Sequence, residues 1–75
     1  MVDFAAGFVW PKWVHKGARV IVPFLVPGKG TWCTVTIAAG DMMVVENESH
    51  HFCDWRRLDE VAVPQDSPMA GTPNP

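Results

Sequence analysis

Residues 31–38, Thr-Trp-Cys-Thr-Val-Thr-Ile-Ala, alternate strictly: Cys33, Val35 and Ile37 fall on one face of an extended segment, Trp32, Thr34 and Thr36 on the other. That period of two, carried by β-branched residues, predicts a strand buried on one side. The Ala39-Gly40-Asp41 break predicts a tight turn, and residues 42–48 its returning hairpin partner. Glu46 and Glu48 mark the solvent side of that partner, which leaves Met43 and Val45 for the core. Upstream, residues 18–22 are a β-branched run stopped by Pro23, whose ring cannot donate to a ladder. Residues 23–30, Pro-Phe-Leu-Val-Pro-Gly-Lys-Gly, then read as a long, partly apolar loop. Downstream, 47–50 predicts a turn and 51–55 a fourth strand with Cys53 and Trp55 inward and His50 and Asp54 outward. Residues 56–58 make about one helical turn, and 59–63 a last strand alternating through Val61 and Val63.

Residues 1–16 lack a helical period and are broken by Gly7 and Pro11, so they are expected as an extended arm. From Pro64 onward, four prolines among small polar residues cannot bury apolar surface, and 64–75 is expected to be a disordered tail. Between them, five short strands, a long first loop, tight hairpins and one turn before the last strand resemble an SH3-like barrel over residues 17–63. The expected fold class is therefore all-β: a five-stranded SH3-like barrel with an N-terminal arm and a disordered tail. Curling the sheet also suits a chain with no helix long enough to cover a face.

A narrower resemblance lies within that architecture. The stretch Ala5-Ala6-Gly7-Phe8-Val9-Trp10-Pro11 through Gly17-Ala18-Arg19-Val20, the Trp32 strand, Val45-Glu46-Asn47-Glu48-Ser49 and the terminal Leu58-Asp59-Glu60-Val61 are similar to the plasmid- and integron-borne type II dihydrofolate reductases. Gly17, Arg19 and Val20 stand where that family has Gly-x-Arg-Val opening its first strand. The resemblance implies a short chain with a loose arm, tetrameric around one shared pore. That family's pore tetrapeptide, Val-Gln-Ile-Tyr, contacts folate and nicotinamide; here Phe52-Cys53-Asp54-Trp55 occupies the corresponding stretch, without the Gln or the Tyr. The family's pore lysine falls near Val22. An acid in a pore built for anionic folate and NADPH would repel both.

Composition narrows the function classes. Seventy-five residues give one domain with a small core, so self-association would add stability. No basic segment leads into a long apolar run and no apolar stretch reaches membrane-spanning length, so the expected compartment is the cytoplasm, without a membrane partner. Two cysteines are too few for a disulfide framework. Charge is divided along the chain: from Phe4 to Gly40 come Lys12, Lys16, Arg19 and Lys29 with no acid, whereas seven acids after Gly40 face only Arg56 and Arg57. The net charge of -2 is low for a nucleic-acid binder, whose affinity comes mainly from neutralising phosphates.

The cluster of reactive types in Ser-His-His-Phe-Cys-Asp-Trp (49–55) is divided by strand alternation into His51 with Cys53 and His50 with Asp54. Zinc needs at least three protein ligands, so a site there would have to recruit Cys33 or His15. A reactive thiol wants an electropositive setting with an adjacent base, and Cys53 sits beside Asp54 in the acidic half. Gly28-Lys29-Gly30 lacks the strand–loop–helix context of a phosphate loop. No catalytic, metal or cofactor residue is assigned.

The better-founded candidates are aromatic and basic: Trp10, Lys12, Trp13, Lys16 and Arg19 on the arm, Phe24 and Leu25 on the apolar loop, and Trp32 on the non-core face of its strand. The expected function is a non-enzymatic SH3-like module binding a protein partner or itself. Small size and the reductase resemblance suggest an accessory protein of a phage or mobile element. Two alternatives remain: an oligomeric pore enzyme or small-molecule binder related to the reductases, and a single-strand nucleic-acid binder that stacks bases on the Trp/Lys arm.

Overall fold

The computed structural model describes residues 1–4, 6–11, 14–49 and 51–65. Its organising element is the strand whose alternation is clearest in the sequence. We number the strands in chain order: β1 (Val2–Asp3), β2 (Phe8–Val9), β3 (Arg19–Pro23), β4 (Lys29–Ala39), β5 (Met42–Asn47), β6 (Cys53–Arg57) and β7 (Val63–Pro64). Long β4 pairs antiparallel with β3 along one edge, Val20 opposite Cys33, and with β5 along the other, Val35 opposite Val45. β1 also pairs with β4, placing Val2 opposite Gly30. β6 extends the sheet beyond β5.

The arm forms a second, two-stranded unit in which Phe8 faces Pro64 and Val9 faces Val63. The two sheets are joined where Ile21 and Ala62 exchange both backbone hydrogen bonds, each at 2.8 Å. The architecture is all-β, a curled antiparallel sheet of five strands forming a half-barrel, with the two-stranded unit beside it. Only a 3₁₀ turn, Leu58–Glu60, departs from extended structure among the described elements. No described helix is long and apolar enough to cross a membrane.

The half-barrel closes over Val14, Ala18, Val20, Cys33, Val35, Met43, Val45, Val61 and Val63. Met43 and Val45 are the inward residues of β5, as their parity predicts, and Val61 and Val63 are fully buried. Among the described residues no polar or charged side chain is buried, so the core stands on apolar burial alone. Ile21 is fully buried outside this cluster, on the face of β3 opposite Val20 and across from Trp32.

Three sequence expectations are corrected. Ile37 is not a core residue: the register slips between Val35 and Ile37, and Ile37 emerges 56% exposed opposite Val44. The extra residue is Thr36, whose hydroxyl donates to the Val44 carbonyl at 3.1 Å. The faces of the fourth strand are also reversed, since Asp54 lies opposite buried Val45 and Trp55 opposite Val44. The reason is the turn before it: Asn47 N–H donates to the Phe52 carbonyl, His51 N–H donates to the Asn47 carbonyl, and His51 takes a left-handed φ of 59°. That closure sets Cys53 against solvent-facing Glu46 and turns Cys53 and Trp55 outward. Third, the single helical turn falls at Leu58–Glu60, because β6 continues through Arg57, and Glu60 accepts from the Arg57 backbone N–H at 2.7 Å. The expected disorder from residue 66 onward lies outside the described residues, whereas Pro64 is held in β7.

Candidate functional site

An apolar groove of about 390 Å³ separates the arm from the loop after β3. Phe4, Phe8, Val9 and Trp10 line it from the arm; Pro23, Phe24, Val26 and Pro27 line it from the loop, with Gly28 and Ala62 between. Among the described residues no charged side chain lines it. The loop is shaped by its own backbone, Phe24 N–H donating to the Lys29 carbonyl and Lys29 N–H to the Val26 carbonyl. Closing the loop at its base leaves Leu25 fully exposed at the tip, with Phe24, Val26 and Trp10 each about half exposed. Lys29 also pairs with Asp3, tying β1 to the root of the loop.

Beside the groove, an aromatic and charged stack lies across the outer face of β3 and β4. Phe8 meets Phe4 edge-on, with ring centroids 5.9 Å apart, and Trp32 at 6.0 Å. The Arg19 guanidinium lies over the Trp32 ring, 3.8 Å from its centroid. Its Nε and Nη2 donate to the two carboxylate oxygens of Glu48 at 2.8 and 2.9 Å, and Thr34 Oγ1 donates to Glu48 Oε2 at 3.3 Å. The hydrogen bond from Arg19 holds the Glu48 carboxyl below the usual carboxylate range, and the same bond raises Arg19 above its ordinary value. Phosphate binding would compete with this bidentate pair.

The sequence candidates are thus distributed over several places. Trp10 and Phe24 meet at the groove, and Leu25 caps its loop. Arg19 and Trp32 meet each other in the stack, where Trp32 is half-buried rather than an open indole. Lys16 lines a different hollow, beside His15, Thr36 and Gly40. Lys12 and Trp13 lie outside the described residues, as does His50. Sequence reasoning missed Phe4 and Phe8; their spacing of four in an extended arm carries no periodic signal, and only the pairing of β2 with β7 brings Phe8 to Trp32.

The metal question resolves geometrically for the described residues. Cys33 is buried and Cys53 exposed, and no three His, Cys, Asp or Glu side chains converge. Burial pushes the Cys33 thiol up, opposed by the nearby positive charge of Arg56. Inside the open side of the half-barrel, a smaller hollow of about 180 Å³ is lined by Val22, Cys33, Val45, Phe52, Asp54 and Arg56 among others. Phe52 and Asp54 therefore border this hollow, while Cys53 and Trp55 face outward along the edge of the sheet.

No protein family matches the chain, no curated protein is similar to it, and no solved structure matches its fold.

Proposed function

We propose that this protein is a small non-enzymatic binding module of SH3-like type whose groove between arm and loop holds an apolar segment of a protein partner. The observation that carries this reading is the groove itself: uncharged among the described residues, lined by the aromatic side chains of Phe4, Phe8, Trp10 and Phe24, and flanked by exposed Leu25. Monomeric proteins rarely leave such a patch open without a use for it. Flat aromatic and proline surfaces suit an extended apolar or proline-containing peptide, which lays rigid side chains between rings at low entropic cost. An accessory role in a phage or mobile element accords with the small size.

Panning a display library of peptides about twelve residues long against the protein, then titrating the best binder by calorimetry, tests this. Enriched peptides should be apolar, aromatic or proline-rich, and Trp10→Ala or Phe24→Ala should each weaken binding about tenfold without shifting the melting temperature. Absence of enrichment, or affinity indifferent to both changes, would overturn the reading. Titrations with NADPH and with an oligothymidylate serve as the other arms: saturable NADPH binding supports the reductase-like alternative, and salt-dependent binding of the oligonucleotide supports the nucleic-acid alternative.

A further inference from the structure

β6 is the edge of the main sheet: β5 pairs with it on one side, and no described strand pairs with it on the other. Its backbone polarity follows from its two ends. The Phe52 carbonyl accepts from Asn47 and Leu58 N–H donates to Asp41, so the even-numbered residues turn their backbone groups toward β5. Cys53, Trp55 and Arg57 turn theirs outward. At the middle of that edge the outward groups are covered by neighbouring side chains. Trp55 N–H donates to Asp54 Oδ1 at 2.8 Å, Arg56 Nη1 donates to the Trp55 carbonyl at 2.7 Å, and Asp54 and Arg56 pair at 2.6 Å.

We propose that this edge is a self-association surface on which a second copy of the chain adds its own β6 antiparallel, about a two-fold axis through Trp55. Register and charge select the occupant. Antiparallel pairing requires outward-facing residues to oppose outward-facing residues, which leaves three two-fold registers near the strand centre. Centred on Asp54, the axis sets two carboxylates against each other; centred on Arg56, it opposes two guanidiniums. Centred on Trp55, it sets Asp54 against the second copy's Arg56 twice, one opposite-charge pair on either side of the axis. The same register lays Trp55, 60% exposed on the outer face, against its own copy. The Asp54–Arg56 clasp thus changes partner rather than being lost: each side chain leaves its neighbour's backbone and meets its opposite across the axis. Each chain has one such edge, so assembly stops at two. Five residues make a small contact, and the dimer is reversible on dilution.

Sedimentation equilibrium of the full chain from about 5 µM to 1 mM reads this directly. The wild type should pass from monomer to dimer across that range. Asp54→Arg, at an exposed position, and Arg56→Asp, at a half-buried one, should each remain monomeric and folded by circular dichroism, because each opposes like charges across the axis. Mixed one to one, they should form a heterodimer, since one chain then brings two basic and the other two acidic side chains to the facing positions. The clasp within each chain is broken in both variants, so the heterodimer reports pairing between chains alone. A wild type that stays monomeric throughout, single variants that dimerise as the wild type does, or species larger than two would overturn the proposal. Trp10 lines the groove and not the hollow that holds Asp54 and Arg56, so Trp10→Ala should leave the dimer intact and its peptide-binding test can fail independently.

Discussion

A Cβ at position 30 would press into Ile21 Cγ2 and stand 2.7 Å from the Val22 carbonyl oxygen. Gly30 is therefore required by close approach of β3, opposite it at Pro23, and not by its own torsion. Gly30→Ala should cost about 1–3 kcal/mol, read as a lower urea midpoint at unchanged slope. Glu48 offers a contrasting case, because its effect is electrostatic. Its folded-state pKa is depressed by Arg19, so the contribution of the pair is complete above the ordinary carboxylate range and is lost as pH falls through the folded value. The side chains are 57% and 31% exposed, which limits the pair to about 0.5 kcal/mol. Glu48→Gln should lower stability by that amount at neutral pH and by nothing in acid. A deficit that persists in acid would instead assign the loss to packing over Trp32.

The β4–β5 hairpin shows how one inserted residue divides an element. Before Thr36 the alternation of β4 matches its burial, with Cys33 and Val35 inside; after it, Ile37 is outside although its chemistry and parity both point inward. Val35→Ala should therefore cost about 2 kcal/mol by thermal or chemical denaturation, whereas Ile37→Ser should be nearly neutral. Equal losses at the two positions would contradict the slip in register. The same hairpin marks what was legible beforehand. Strands at 18–22, 31–38 and 42–48 follow from β-branched alternation between turn residues, and the inward pair Met43 and Val45 follows from Glu46. The reversal at β6 was not legible, because it depends on a left-handed His51, a conformation that His seldom adopts and that no pattern announces. Cys53 and Trp55 are outside for that reason.

At the scale of the whole molecule, the all-β class and the curl of the sheet were legible, while the seating of the arm was not. Trp10 and Phe24 were recognisable as candidates because exposed aromatics near proline loops stand out in any chain. That they share one groove depends on β2 meeting β7 and on Ala62 bridging to Ile21, contacts between residues far apart in sequence. Arg19 and Trp32, by contrast, looked like two contributions to binding, and the fold spends them largely on each other and on Glu48.

The position of β4 between β3 and β5 has a further consequence in time rather than in space. Around Cys33 and Thr34 the strand is hydrogen-bonded on both edges, and just beyond, Val35 N–H donates to Ala18 while its carbonyl accepts from Gly17. No local fraying releases these amides, so in deuterium oxide they should exchange only when the whole chain opens, at a rate set by global stability. Cys53 on β6 should exchange far sooner. Trp55 and Arg57 should lag behind it in proportion to how long the Asp54 and Glu60 carboxylates keep hold of their amide protons, which makes the two residues clocks for the opening of the edge.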